Sequence, residues 1–372
     1  MTFSSGALTW EERVIFSLRS LYAQYGYQPY KMSKFEEYDL YVSNKDFLIS
    51  DGIITFTDTD GKLMALKPDV TLSIIKNTRD DPRSVRKLYY NENVYRVRKS
   101  SGSFRELMQV GLECIGPLDT ADVAETVWLA AASLRAVREE SVLVLSHLGL
   151  IGAVTDRAPA AARSELISCI GEKNPHGIAS VAAEYGIDAD TEEALRTLAS
   201  LAGPPVRVLP ELTALAGRYG AEESLGELKA VLSVFEGTPE EDRIRVDASV
   251  LDDMKYYNSI VFKGYVRGVP GSVLSGGQYD RLMRRMHRKS RAIGFAVYLD
   301  ELERIETGGG PSRSADVLLL RDPDVSPAVL RGAVEKLVAD GTSVFTAKEP
   351  DPKVNAGRTA RLTADGEVIF LG

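Results

Sequence analysis

Gln109 and Glu113 lie four residues apart in Phe104-Arg-Glu-Leu-Met-Gln-Val-Gly-Leu-Glu-Cys-Ile-Gly, a run that reads as a strand. Side chains of a strand repeat every second residue, so the two point to the same face. A buried glutamate with an amide beside it suits an ammonium or imidazolium ligand, because a buried charge needs a charged or hydrogen-bonding partner. Hydrogen bonding within a sheet explains the pair equally well. Just upstream, the window from Arg79 to Arg105 holds eight basic residues against three acids, an anion-binding composition in an acidic chain. Arg96 ends one strand-like run and Arg105 opens the next, so their planar guanidinium forks can grip one phosphate from two sides. A solvated hairpin loop is the competing explanation. A second basic run, Arg281, Arg284, Arg285, His287, Arg288, Lys289 and Arg291, contains no acid. It fits a phosphate, RNA or an acidic partner, or simply a solvated helix and loop.

Other candidates are weaker. His147, His176 and His287 are scattered and lack metal-ligand spacing. Cys114 and Cys169 are too few for a zinc site or a disulfide framework and read as small buried hydrophobes. Ser275-Gly-Gly-Gln-Tyr-Asp280 is glycine-rich but matches neither common nucleotide-loop pattern, so close backbone approach is the reading it supports.

The elements that position these residues follow from periodicity. Apolar Val14, Phe16, Leu18, Leu21 and Tyr22 predict a helix over residues 10–25 that stops at Gly26. A hairpin turning at Asp58 to Gly61 precedes a short helix from Val70 to Thr78, with Asp69 as its N-terminal carboxylate. Residues 85–96 and 104–116 form an antiparallel pair, and 119–140 a long helix capped near Asp119. After a strand over 141–148, residues 150–240 become rich in Ala, Leu and Glu and read as a helical insertion. Strands resume at 243–250 and 256–266. Beyond a glycine-rich linker at Gly308, strand, helix and strand end the chain.

Composition sets the frame. The chain has 372 residues, 45 Lys and Arg against 53 Asp and Glu, a formal net charge of −8, and 44% hydrophobic residues. That is an ordinary globular balance of two or three domains, which sets disorder and fibrous classes aside. No apolar run approaches the ~20 residues of a membrane helix, and the first residues lack a secretory pattern. A cytoplasmic location is the default expectation.

Taken in order, these pieces resemble the catalytic domain of class II histidyl-tRNA synthetases and, more closely, the regulatory subunits of ATP phosphoribosyltransferase. The likeness runs from about residue 10 to 305. Leu66-Lys-Pro-Asp-Val-Thr71 is similar to the family's Leu-Arg-Pro-(Asp/Glu)-x-Thr, which implies that Asp69 and Thr71 face a ligand amino group. Val94-Tyr-Arg96 with Phe104 to Glu113 resembles motif 2, in which Arg96 and Arg105 match nucleotide-contacting arginines and Gln109 and Glu113 histidine-contacting residues. Met254-Lys-Tyr-Tyr-Asn-Ser-Ile-Val-Phe262 with Ser275 to Asp280 resembles the histidine-specific segment, placing Tyr256 and Tyr257 in the same pocket. The implied fold is α+β: a class II synthetase-like antiparallel sheet flanked by helices in residues 1–149 and 241–306. It is completed by an insertion at 150–240, a linker at 307–314 and a small truncated α/β domain at 315–372.

The departures bear on activity. Asp252 stands where a synthetase has the arginine of Arg-Gly-Leu-Asp-Tyr-Tyr, and a carboxylate there repels an adenylate instead of stabilising it. Arg98 replaces the acid of motif 2, and Glu301 the arginine of motif 3. The family's opening Pro-x-Gly-x-Arg-Asp stretch is missing, and the motif 1 proline is not found near Ser33. The resemblance therefore implies a non-aminoacylating subunit in histidine biosynthesis that binds histidine, activates a short-form ATP phosphoribosyltransferase catalytic subunit and transmits feedback. It implies no catalytic residue, metal or cofactor, with ATP binding left open, and a homodimer within a hetero-oligomer. The short tail and acidic charge argue against stable tRNA docking. A histidine–tRNA ligase is the alternative, and a stand-alone amino-acid-binding or RNA-associated regulator a more distant one.

Overall fold

The computed structural model describes residues 8–44, 52–81, 83–97, 102–251, 256–306 and 315–371. Arg98, Asp252 and the linker expected at 307–314 lie outside the described residues. Residues 10–304 form one compact unit, and the C-terminal residues belong to another.

In the larger unit, α1 (Trp10–Gln24) buries Val14, Ile15, Leu18 and Tyr22 at the spacing of one helix face. It ends before Gly26, whose φ of +81° a residue with a side chain rarely adopts. After β1 (Gln28–Pro29), β2 (Phe35–Glu37) and α2 (Tyr38–Val42), the hairpin β3 (Thr55–Thr57) and β4 (Leu63–Leu66) joins β2 in a three-stranded sheet. Asp58 Oδ1 holds its turn by accepting from the amides of Asp60 and Lys62. Helix α3 (Val70–Asn77) starts where Asp69 accepts from the Leu72 amide at 2.8 Å.

The next pair, β5 (Arg86–Val97) and β6 (Phe104–Gly116), runs antiparallel from Arg86 opposite Ile115 to Val97 opposite Phe104. Helix α4 (Thr120–Val137) opens with a capping box between Asp119 and Asp122. Strand β7 (Ser141–His147) follows, and then a helical stretch: α5 (Leu148–Thr155), α6 (Arg163–Gly171), α7 (Pro175–Tyr185), α8 (Ala189–Ser200), β8 (Ala202–Gly203), α9 (Pro205–Tyr219) and α10 (Glu222–Ser233). The chain returns through β9 (Ile244–Asp247), β10 (Ile260–Val266), β11 (Leu274–Gln278), α11 (Asp280–Arg285), β12 (Arg291–Tyr298) and α12 (Leu299–Glu306).

The strands make a nine-stranded sheet in the order β1-β5-β6-β12-β11-β10-β7-β9-β8. Antiparallel pairing dominates, as expected, but two pairs correct a fully antiparallel reading: β1 with β5 and β7 with β9 are parallel. Each is joined by a long crossover, which parallel pairing requires. The helical insertion also supplies β8 to the sheet edge; a two-residue strand has no period to read in a sequence.

Period-two alternation gives the sheet two different faces. Val110, Leu112 and Cys114 of β6 are buried on one side, where Cys114 meets Tyr27. On that side Tyr22 OH lies 3.0 Å from Ser133 Oγ of α4. Gln109, Gly111, Glu113 and Ile115 project to the other side. There α3 and α11 pack with Tyr41, Tyr90, Tyr256 and Tyr279 into a second core cluster. The functional side chains belong to this second face.

The C-terminal unit contains β13 (Ala315–Arg321), α13 (Pro327–Ala339), β14 (Val344–Ala347), β15 (Ala356–Leu362) and β16 (Val368–Leu371) in the order β14-β13-β15-β16. Val317, Leu319, Ala360 and Leu362 form its core with Ala333 of α13. The expected strand, helix and strand are present. Two further strands follow: in the first, arginine, glycine and threonine interrupt the apolar pattern of 356–362, and the second, Val368–Leu371, is only four residues long.

Candidate functional site

Glu113 sits at 1% exposure on β6. Its Oε1 accepts from Thr71 Oγ1 at 2.7 Å and its Oε2 from Tyr279 OH at 2.6 Å. Thr71 is in the first turn of α3, and Tyr279 immediately follows β11, so a helix and two strands converge on one carboxyl group. Neither hydroxyl carries a charge. Burial therefore dominates and pushes the Glu113 carboxyl up to about 8, against the two hydrogen bonds and with help from the nearby Asp69 charge. Space for the carboxyl depends on Gly294 of β12, where a Cβ would collide with Glu113 Oε2.

Around this group lies a narrow cleft open to solvent. It is lined by Asp69, Thr71, Arg96, Gln109, Glu113, Tyr256 and Tyr257, all singled out from the sequence. Asp69 caps α3, and its carboxyl is raised by burial, partly opposed by the Leu72 amide and the Arg96 charge. Arg96 reaches over from the end of β5 and donates through Nε to Pro68 O at 3.3 Å. Tyr256 stacks edge-on to Tyr257 with ring centres 4.8 Å apart, and lies 5.8 Å from the Tyr279 ring. Gly277 of β11 clears the Tyr257 ring, since a Cβ there would come within 2.8 Å of it.

Arg105 is placed differently. It stands directly opposite Arg96 in the β5–β6 register but is absent from the cleft wall, and its guanidinium lies 3.6 Å from Asp300 of α12. Tyr90, Ser275, Tyr279, Phe295 and Tyr298 also line the cleft and were not read from the sequence. For Tyr279 the signal was present: it is the tyrosine of Ser275-Gly-Gly-Gln-Tyr-Asp280, a segment read for its glycines and for its likeness to the histidine-specific segment without Tyr279 being singled out. Tyr90 faces Gly111 across the strands, where a Cβ would collide with its hydroxyl.

The second basic run is partly structural. Arg288 donates to Ile75 O at 2.8 Å at the carboxyl end of α3, where a cation opposes the helix dipole. Asp80 accepts from the Lys289 amide and the Ser290 hydroxyl, and Arg291 pairs with Asp280 at 3.1 Å. Burial pushes the Cys114 thiol up to about 12, fitting the buried-hydrophobe reading. Among the described residues no cluster of three or more His, Cys, Asp or Glu could hold a metal ion, and no helix is long and apolar enough to cross a membrane.

The cleft thus offers a buried acid, a second acid at a helix start, hydroxyl and amide groups, tyrosine walls and one arginine. This donor set can hold a small zwitterion that carries a further protonatable group. A family model described as histidyl-tRNA synthetase matches residues 8–302, which include the whole cleft. The ATP phosphoribosyltransferase regulatory subunit of Moorella thermoacetica is 30% identical over 363 residues, covering 96% of this chain and 91% of its own. The chain belongs to the ATP phosphoribosyltransferase regulatory subunit family, a class II histidyl-tRNA synthetase-like group. The family's fold is correspondingly clear. A solved ATP phosphoribosyltransferase regulatory subunit/histidyl-tRNA synthetase from Bacillus halodurans has a TM-score of 0.78 at 22% identity, over 95% of this chain and 94% of that one. Histidyl-tRNA synthetase from Nostoc sp. PCC 7120 has a TM-score of 0.75 at 19% identity, over 100% and 97%. Such close scores mean that the fold alone does not separate a regulatory subunit of this family from a synthetase.

Proposed function

We propose that this protein is a non-aminoacylating regulatory subunit that binds histidine in the Glu113 cleft, activates an ATP phosphoribosyltransferase catalytic subunit and transmits histidine feedback to it. The observation that carries the reading is the buried Glu113 carboxyl, held by two hydroxyls and walled by tyrosines. An imidazole offers the proton and the flat ring that this arrangement accommodates. In this reading Glu113 and Gln109 meet the imidazole beside Tyr256 and Tyr257, Asp69 and Thr71 receive the α-ammonium, and Arg96 keeps the nucleotide- or phosphate-binding role that the resemblance implies. The core of residues 1–149 and 241–306 carries the site, and stable tRNA binding is not part of this reading. Feedback requires histidine to bind one state of the complex better than another, with couplings of typically about 1–3 kcal/mol.

Loss of aminoacylation rests on charge. Asp252, Arg98 and Glu301 reverse or remove three charges that a synthetase places around ATP, and adenylate formation depends on such preorganised charges. The test is calorimetric titration with histidine beside histidine-dependent ATP–pyrophosphate exchange, followed by a phosphoribosyltransferase assay with the catalytic subunit. We expect histidine binding, no exchange, and a faster catalytic subunit that histidine inhibits. Exchange would instead make the chain a histidine–tRNA ligase, and no histidine binding would remove the cleft assignment.

A further inference from the structure

At Ser259 three polar side chains from three separate parts of the chain meet. His147 ends β7 and is 4% exposed; its Nδ1 accepts from the Gly149 amide at 3.1 Å and so caps α5. That bond leaves the ring proton on Nε2. Nε2 lies 3.0 Å from Glu227 Oε2 of α10 and 3.0 Å from Ser259 Oγ, which itself donates to Glu227 Oε2 at 2.8 Å. Two hydrogens therefore converge on one carboxylate oxygen.

The grouping of serine, histidine and glutamate is not a hydrolytic triad. A general base needs a free ring nitrogen facing the serine and an acid on the opposite nitrogen. Here the nitrogen facing the serine carries the proton, the glutamate shares that side, and a backbone amide occupies the other.

Its position suggests a different role. Glu227 belongs to the helical insertion, whereas His147 and Ser259 lie beside each other where β7 and β10 begin to pair, with Leu148 N donating to Ser259 O at 2.9 Å. Ser259 follows Tyr257 by two residues. The same short segment is tied to β11, because Asn258 N donates to Gln278 O at 3.0 Å and Ile260 N to Gln278 Oε1 at 3.1 Å. Gln278 precedes Tyr279, the donor to Glu113. One carboxylate of the insertion thus anchors the segment whose tyrosines wall the cleft.

We infer that Glu227 is a positioning residue through which the helical insertion sets the Tyr256–Ile260 segment, so that the insertion and the occupancy of the cleft are energetically coupled. This rests on the histidine-binding reading for its ligand, but not for its structural half. Coupling across shared hydrogen bonds is a measurable interaction energy.

The experiment compares the full-length wild type with Glu227→Ala, Glu227→Gln and a control, Leu195→Ala, which removes a fully buried side chain of α8 elsewhere in the insertion. Hydrogen exchange without ligand is read at residues 256–260, and histidine affinity by calorimetry. Glu227→Ala should speed exchange at 256–260 and weaken histidine on the order of tenfold. Glu227→Gln, which keeps an acceptor oxygen, should recover part of both, while Leu195→Ala should lower stability and leave both unchanged. Unchanged exchange at 256–260 in a folded Glu227→Ala overturns the inference, as does an equal effect from Leu195→Ala. Faster exchange with no histidine binding even in the wild type overturns the coupling together with the histidine reading, leaving only the anchoring.

Discussion

Burial outweighs the hydrogen bonds from Thr71 and Tyr279 and raises the Glu113 carboxyl, and this sets how the cleft responds to pH. Its ordinary value is 4.5 and its folded value about 8, so between these the folded state binds the extra proton. Its contribution to stability is full below pH 4.5 and declines as pH rises through about 8. Urea midpoints measured across that window should fall in the wild type relative to Glu113→Gln; parallel curves would count against the assignment. In the proposed complex histidine brings an imidazole that titrates at about 6.5, so at neutral pH a neutral ring would meet a protonated acid and one proton would serve the pair. Affinity should be flat between about 6.5 and 8. It should drop below that range, where binding must release a proton, and above it, where binding must take one up. Glu113→Gln should weaken histidine by about 30-fold or more, the scale of losing one partner of a buried charged pair. Cys169→Ala, outside the cleft, should bind as the wild type does; equal calorimetric affinity for wild type and Glu113→Gln would sink the pocket assignment.

At the scale of elements, the cleft depends on how closely strands approach and where helices begin. Gly294→Ala on β12 should displace the Glu113 carboxyl, abolish histidine binding and lower the urea midpoint, because its Cβ would enter the space of Oε2 and come within 2.6 Å of Leu112 O on the paired strand. Normal binding in that variant would mean that the carboxyl is free to move. Helix α4 offers a contrast. Asp119→Ala removes its capping box and should cost about 1 kcal/mol of stability in urea unfolding. It should leave affinity intact, since Asp119 is absent from the Glu113 cleft.

For the whole molecule, a ligand that binds only the folded state raises stability by mass action. Histidine at a hundred times its Kd should add about 2.7 kcal/mol, read as a rise in Tm. ATP should produce no histidine-dependent pyrophosphate exchange at any concentration that leaves the protein folded. A Tm unmoved by histidine would remove the ligand from the functional reading while leaving family membership untouched, since that rests on residues 8–302 and on 30% identity across nearly the whole chain.

Elements with a repeating apolar period were legible in the sequence: α1, the β5–β6 hairpin, α4 with its cap and the helical character of the insertion. So was the same-face placement of Gln109 and Glu113, because strand geometry fixes it locally. Seven of the residues singled out do line one cleft, two of them read from strand parity and the others through the family resemblance or the local charge pattern. Tertiary structure decided the rest. The parallel pairs β1–β5 and β7–β9, and the small edge strand β8, depend on partners far away in the chain. Arg105 faces Asp300 because α12 folds back to the β5–β6 hairpin, which no local pattern encodes. Tyr279 reaches Glu113, and Glu227 meets His147 and Ser259, only when strands distant in sequence lie side by side. Periodicity reports the face a residue takes within its own element. Which groups share a proton or a carboxylate oxygen is settled by contacts between elements.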